Sequence, residues 1–124
     1  MRKDGSRYSR PASKHEKPWT EAVRQATLIG RPEDVGPPYA VTIAFFHVRP
    51  ARPKYGWPVS SDVDKLVRGT LDGLVPRILS DDRHVIDLRV RECWSDLPQD
   101  AGALVIVERA ELTSERVEAV RAAA

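Results

Sequence analysis

The sequence predicts an α+β fold, a small mixed β-sheet with helices packed on one side. Three observations carry this. Tyr39 to Val48 is β-branched and aromatic, and apolar on both faces near its centre, the composition of a strand inside a sheet. Asp62 to Val75 places Val63, Val67, Leu71 and Leu74 at i, i+4, i+8 and i+11, one face of a helix. Val85 to Cys93 alternates Ile86, Leu88 and Val90 with Asp87, Arg89 and Arg91, a strand with one wet or charge-facing side.

Taken in order, residues 1–14 are polar, with Gly5 and Pro11, and read as an irregular basic arm. Glu16 to Ile29 reads as a helix, because Pro18 suits its first turn and Trp19, Ala22, Val23, Ala26 and Leu28 or Ile29 give an apolar face. Gly30, Pro32, Gly36, Pro37 and Pro38 end it in a turn-rich connection. After the Tyr39–Val48 strand, residues 49–60 form a loop with Pro50, Pro53, Gly56 and Pro58. Arg49, Arg52 and Lys54 stand in it, with Tyr55 and Trp57 interleaved. In the next helix Gly69 and Gly73 lower the helical propensity, and Pro76 ends or kinks it. Asp64, Arg68 and Asp72 form a polar row beside the apolar stripe. Asp81-Asp82-Arg83 turns into the second strand. Residues 95–102 form a loop, and Ala103 to Val107 a third, fully apolar strand. Thr113 caps a final helix, Ser114 to Ala123.

The chain of 124 residues reads as a single domain, 1–124, large enough to bury a core without staples. Its net charge of +2 says little, but the N-terminal region is basic, with seven Lys/Arg against three Asp/Glu from Met1 to Arg24. Such a region meets a polyanion or stands as a solvated arm. Cys93 is the only cysteine, which excludes an intramolecular disulfide and a Cys-rich zinc site and fits a reducing cytoplasm. No apolar run approaches the length of a membrane span, and the N-terminus lacks the apolar core of a signal peptide. The expectation is a cytoplasmic protein, from a bacterium or phage by its Arg, Ala and Val usage.

The chemistry-bearing stretch runs from Ser61 to Asp82. It holds five carboxylates, at Asp62, Asp64, Asp72, Asp81 and Asp82, with Lys65, Arg68 and Arg77 among them. One reading is purely structural: Ser61 is the N-cap, Asp64 at N3 completes a capping-box-like pattern, and the acids favour the helix dipole. The other is chemical. Asp62 and Asp64 would point about 200° apart within a regular helix. They converge if Asp62 is the extended residue before it, and Asp82 at the mouth of the next strand then completes an oxygen cage. Mg²⁺ suits a partial set of carboxylates, with water and substrate phosphate filling the rest. Arg68, one turn after Asp64, would hold a phosphate oxygen.

Asp62-Val63-Asp64-Lys65-Leu66-Val67-Arg68, then Leu71-Asp72-Gly73-Leu74, then Asp81-Asp82-Arg83-His84-Val85, resembles the RusA family of Holliday junction resolvases. That family's pattern reads roughly P-D-x-D-N-L-x-K-x-x-x-D-x-L, then D-D-x-x-V. Order, spacing and the Pro-rich loop after a hydrophobic strand agree, over about residues 40–108 and more loosely over 6–30. The resemblance implies a RusA-like fold and a Mg²⁺-dependent, homodimeric endonuclease that nicks branched DNA, a four-way junction, symmetrically in recombination and repair. It places Asp62, Asp64 and Asp82 on the metal-binding acids, Asp72 on a supporting acid, and Arg68 where the family often has a catalytic Lys. Three departures stand out. Ser61 replaces the usual Pro. Arg68 keeps the charge of Lys but has no transferable proton, with Lys65, at the usual Asn position, as a second cation. The family's opening strand has no counterpart ahead of Ser6–Arg10, which would expose a sheet edge. A relative that has lost catalysis and only binds junctions is the alternative.

Arg7, Arg10, Lys14, Arg49, Arg52 and Lys54, with Lys17, suit phosphate tracking or are ordinary surface charge. Trp57, with Tyr55, stacks on exposed bases or anchors its loop. His47 reads as a satisfied core or edge histidine, His84 as a neighbour of Asp82, and Cys93 and Trp94 as packing residues.

Overall fold

The computed structural model describes residues 16–30, 32–59 and 62–112. The basic arm with Arg7, Arg10 and Lys14, the expected N-cap Ser61 and the final helix at Ser114–Ala123 lie outside them. The elements run α1 (Glu16–Ala26), β1 (Tyr39–Val48), α2 (Val63–Leu74), β2 (Val85–Ser95) and β3 (Gly102–Arg109), with short 3₁₀ turns at Asp82–His84 and Pro98–Asp100. This is a small α+β fold. No helix among the described residues is long and apolar enough to cross a membrane.

The sheet is mixed and three-stranded, in the order β2-β1-β3. The strand that is apolar on both sides is the central one. It pairs in parallel with β2, Val41 beside Leu88 and Ile43 beside Val90, and antiparallel with β3, Val41 beside Val107 and Ile43 beside Val105. Tyr39, Val41, Ile43 and Phe45 alternate onto the buried side and meet Val23, Leu74, Ile78 and Leu79 in one core. Ala40, Thr42, Ala44 and Phe46 on the other side are only half-buried. There Ile106 and Leu104 of β3 lie beside Thr42 and Ala44 and are exposed.

The parallel pair β1–β2 requires a crossover, and α2 supplies it. Its buried stripe differs from the expected one. Leu74 is buried and Val67 and Leu71 pack on the core, but Val63 is exposed, and Leu66 and Thr70 take the inward place. Of the two glycines read as weak points, Gly73 serves close packing. A Cβ on Gly73 would stand 2.7 Å from the carbonyl oxygen of Thr20 and from the Val23 side chain, so only glycine lets α1 come this near. The approach is fixed by polar pairs. Thr20 Oγ1 donates to the Gly69 carbonyl at 3.0 Å, and Trp19 Nε1 donates to Thr70 Oγ1 at 2.9 Å. That hydroxyl donates in turn to the Leu66 carbonyl at 2.7 Å.

Tyr39 ties the start of β1 to the far end of the crossover. Its fully buried ring carries a hydroxyl that donates to the Asp34 carboxylate (2.8 Å to one oxygen) and accepts from the Ser80 N–H at 3.0 Å. Asp34 also accepts from the N–H of Gly36 at 2.8 Å. Gly36 has φ of 88°, a value that favours glycine in this turn.

Candidate functional site

Asp62 is the N-cap of α2, in extended conformation (φ −69°, ψ 122°), and its side chain makes no capping hydrogen bond. Extended backbone immediately before the helix is the geometry that lets a carboxylate there turn toward the one at Asp64. The capping-box reading is not supported by the described residues: Asp62 takes the cap position assigned to Ser61, and its carboxylate is not spent on it. Lys65 Nζ lies 3.8 Å from Asp62 Oδ2. Asp64 has no hydrogen-bond or ion-pair partner among the described residues and is exposed. The fold thus leaves two acidic side chains at one helix start with little structural employment, Asp62 beside Lys65 and Asp64 open to solvent.

Asp82 is not brought to that pair. β1 and β2 run parallel, so α2 descends from the end of β1 to the beginning of β2, where Asp82 stands. Asp72 is already about 12 Å along the axis from Asp64, at 1.5 Å rise per residue. Asp82 shares a shallow groove with Asp72, Asp81, Thr20 and Arg24 at that lower end. The expected three-carboxylate cage is therefore not assembled within one chain. Among the described residues no three acidic, histidine or cysteine side chains stand close enough to hold one metal ion. The reason is topological: a crossover helix separates its own two ends.

Asp81 caps the 3₁₀ turn by accepting from the Arg83 N–H at 3.0 Å. Arg24 Nη2 donates to the Asp72 carbonyl at 3.0 Å and so clamps α1 to α2. Arg68, Asp72 and Asp64 are all exposed along one row, as the spacing indicates. Arg68 lines a second groove with Lys17, Thr20, Glu21, Arg24 and Asp72, a mixed edge on which Arg24 is paired with Glu21.

The cations expected to track phosphates divide. Arg49 folds back on its own chain, its guanidinium 4.2 Å from the centre of the Trp94 ring and its Nε 3.4 Å from Asp96. Its N–H also donates to the Ser95 carbonyl at 2.9 Å. Arg49 therefore anchors the loop, and the packing role read for Trp94 is to carry it. Arg52 and Lys54 are exposed, with no ion pair among the described residues. Trp57 stacks on Tyr55, centroids 5.6 Å apart and planes inclined by 24°, and both rings face solvent. His47 is the satisfied histidine expected of its strand, with Nε2 2.9 Å from Glu92 Oε1.

Sequence reasoning missed the grouping of Asp72 with Asp81 and Asp82 and the anchoring of Arg49. The first depends on how the chain returns from the end of α2 to the start of β2, and the second on contacts across more than forty positions, to Trp94 and Asp96, and periodicity carries a signal for neither. Compared with protein-family models, curated proteins and solved structures, the chain matches none.

Proposed function

We propose that this protein is a Mg²⁺-dependent, structure-selective DNA endonuclease of the RusA type, acting on four-way junctions as a homodimer. The observation that carries the reading is Asp62, extended ahead of α2 with its carboxylate not capping the helix and two residues from exposed Asp64. Asp62 and Asp64 would hold the ion, and a bound Mg²⁺ supplies an activated water and neutralises charge on the reacting phosphate. Lys65, beside Asp62, moderates the repulsion of the pair when no cation is present. Arg68, one turn on from Asp64, donates to a phosphate oxygen and stabilises the charge that develops there, without transferring a proton. Arg52 and Lys54 contact flanking phosphates. Asp82, separated from the pair by the helix, is not a metal ligand in this reading.

The second reading, a junction-binding protein without catalysis, is favoured by that same separation, since one chain offers two carboxylates where the family pattern implies three. A synthetic four-way junction, incubated with Mg²⁺ or with EDTA, decides between them. Paired nicks on opposed strands that need Mg²⁺ support the endonuclease. Retarded junction without nicks supports the binder, and neither binding nor nicking removes both.

A further inference from the structure

We infer that the Tyr55–Trp57 stack is a docking platform for an unpaired DNA base, so that the loop after β1 selects single-stranded or branch-point DNA over continuous duplex. The inference rests on the DNA reading above but not on the metal chemistry. Two large rings in a loop are ordinarily turned inward, because exposing them forfeits about 1.5–3 kcal/mol of burial each. Here Tyr55 is 47% and Trp57 63% exposed, and they meet each other instead of the core. A near-parallel pair presents an outward aromatic face on which a base can add as the next layer.

The surroundings fit that ligand. Arg52 and Lys54 precede the rings at exposed positions without ion-pair partners among the described residues, so the backbone of a stacked nucleotide finds cations beside the platform. Pro53 and Pro58 bracket Tyr55-Gly56-Trp57 and restrict the loop before any ligand arrives. Its base is held by Arg49 against Trp94 and Asp96. A Cβ added at Gly56 would touch nothing within 4 Å, so the turn between the rings is open to solvent. The platform lies five residues before Asp62, and a base displaced from the stack at a branch would be held on the same connection that ends at the acidic pair.

The test uses the full chain in EDTA, which removes nicking from the measurement. Affinity is compared for an oligothymidine and for a duplex of equal length, and the intrinsic tryptophan fluorescence is followed in the same titration. The expected result is quenching by the oligothymidine, and a fall of at least about five-fold in the single-strand over duplex ratio for Trp57→Ala. Trp57→Phe, which keeps a ring, should stay within about two-fold of the parent ratio. An unchanged ratio in Trp57→Ala, an equal loss in both variants, or no binding of the oligothymidine would overturn the inference. The endonuclease reading is judged separately by nicking with Mg²⁺, and either can fail while the other stands.

Discussion

Lys65 Nζ stands 3.8 Å from Asp62 Oδ2, three residues apart at the start of α2, with both side chains more than half exposed. An exposed pair of this kind contributes about 0–1 kcal/mol to folding. Asp62 makes no cap bond and Asp64 no pair among the described residues. Asp62→Asn and Asp64→Asn should therefore shift the free energy of unfolding by no more than about 0.5 kcal/mol. Urea denaturation checks this, and a loss above about 2 kcal/mol would return both acids to a structural role.

Asp82 separates this account from the full pattern of the resemblance. Held at the opposite end of α2 with Asp72 and Asp81, it should tolerate Asp82→Asn with less than about a ten-fold fall in Mg²⁺-dependent nicking, while Asp64→Asn loses at least about a hundred-fold. Equal losses would mean that a second protomer or a rearranged chain carries Asp82 to the metal.

Gly73 gives a prediction of opposite sign to helix propensity. Alanine in an open helix is favoured over glycine by about 1 kcal/mol. At Gly73 the added Cβ would sit 2.7 Å from Thr20 and Val23 of α1. Overpacking of this kind costs about 1–3 kcal/mol, so Gly73→Ala should destabilise the protein. Chemical denaturation reads the sign directly, and a more stable variant would show that α1 does not pack this closely.

Tyr39→Phe should also destabilise, by about 1–3 kcal/mol. The ring stays in the core, but the Asp34 carboxylate loses a donor and the Ser80 N–H loses its acceptor. The thermal midpoint should fall, with the circular-dichroism spectrum at low temperature unchanged.

Much of this architecture was legible in the sequence because it rests on local periodicity. Tyr39–Val48 has the expected limits, and α2 and β2 differ by one or two residues at an end. Helix α1 runs shorter than expected, because Thr27 to Ile29 close in turns back to Val23, Arg24, Gln25 and Ala26. The row Asp64, Arg68, Asp72 follows from the helical angle alone. What periodicity could not supply was where the start of β2, and with it Asp82, sits relative to the start of α2, since that depends on the parallel pairing of β1 with β2. Nor could it show that Gly73 serves a close helix contact, which needs knowledge of what lies opposite it. Arg49 looked like its neighbours Arg52 and Lys54 in sequence, and the Trp94 ring and the Asp96 carboxylate beside it set it apart.

The most direct measurement is the nicking rate of a synthetic four-way junction in Mg²⁺ by the parent chain and by Asp64→Asn, with EDTA as the blank. The expected result is paired nicks from the parent that disappear in EDTA and fall by at least about a hundred-fold in the variant, at unchanged junction affinity. Nicks that persist in Asp64→Asn at the parent rate would contradict the assignment of the helix-start carboxylates as the metal site.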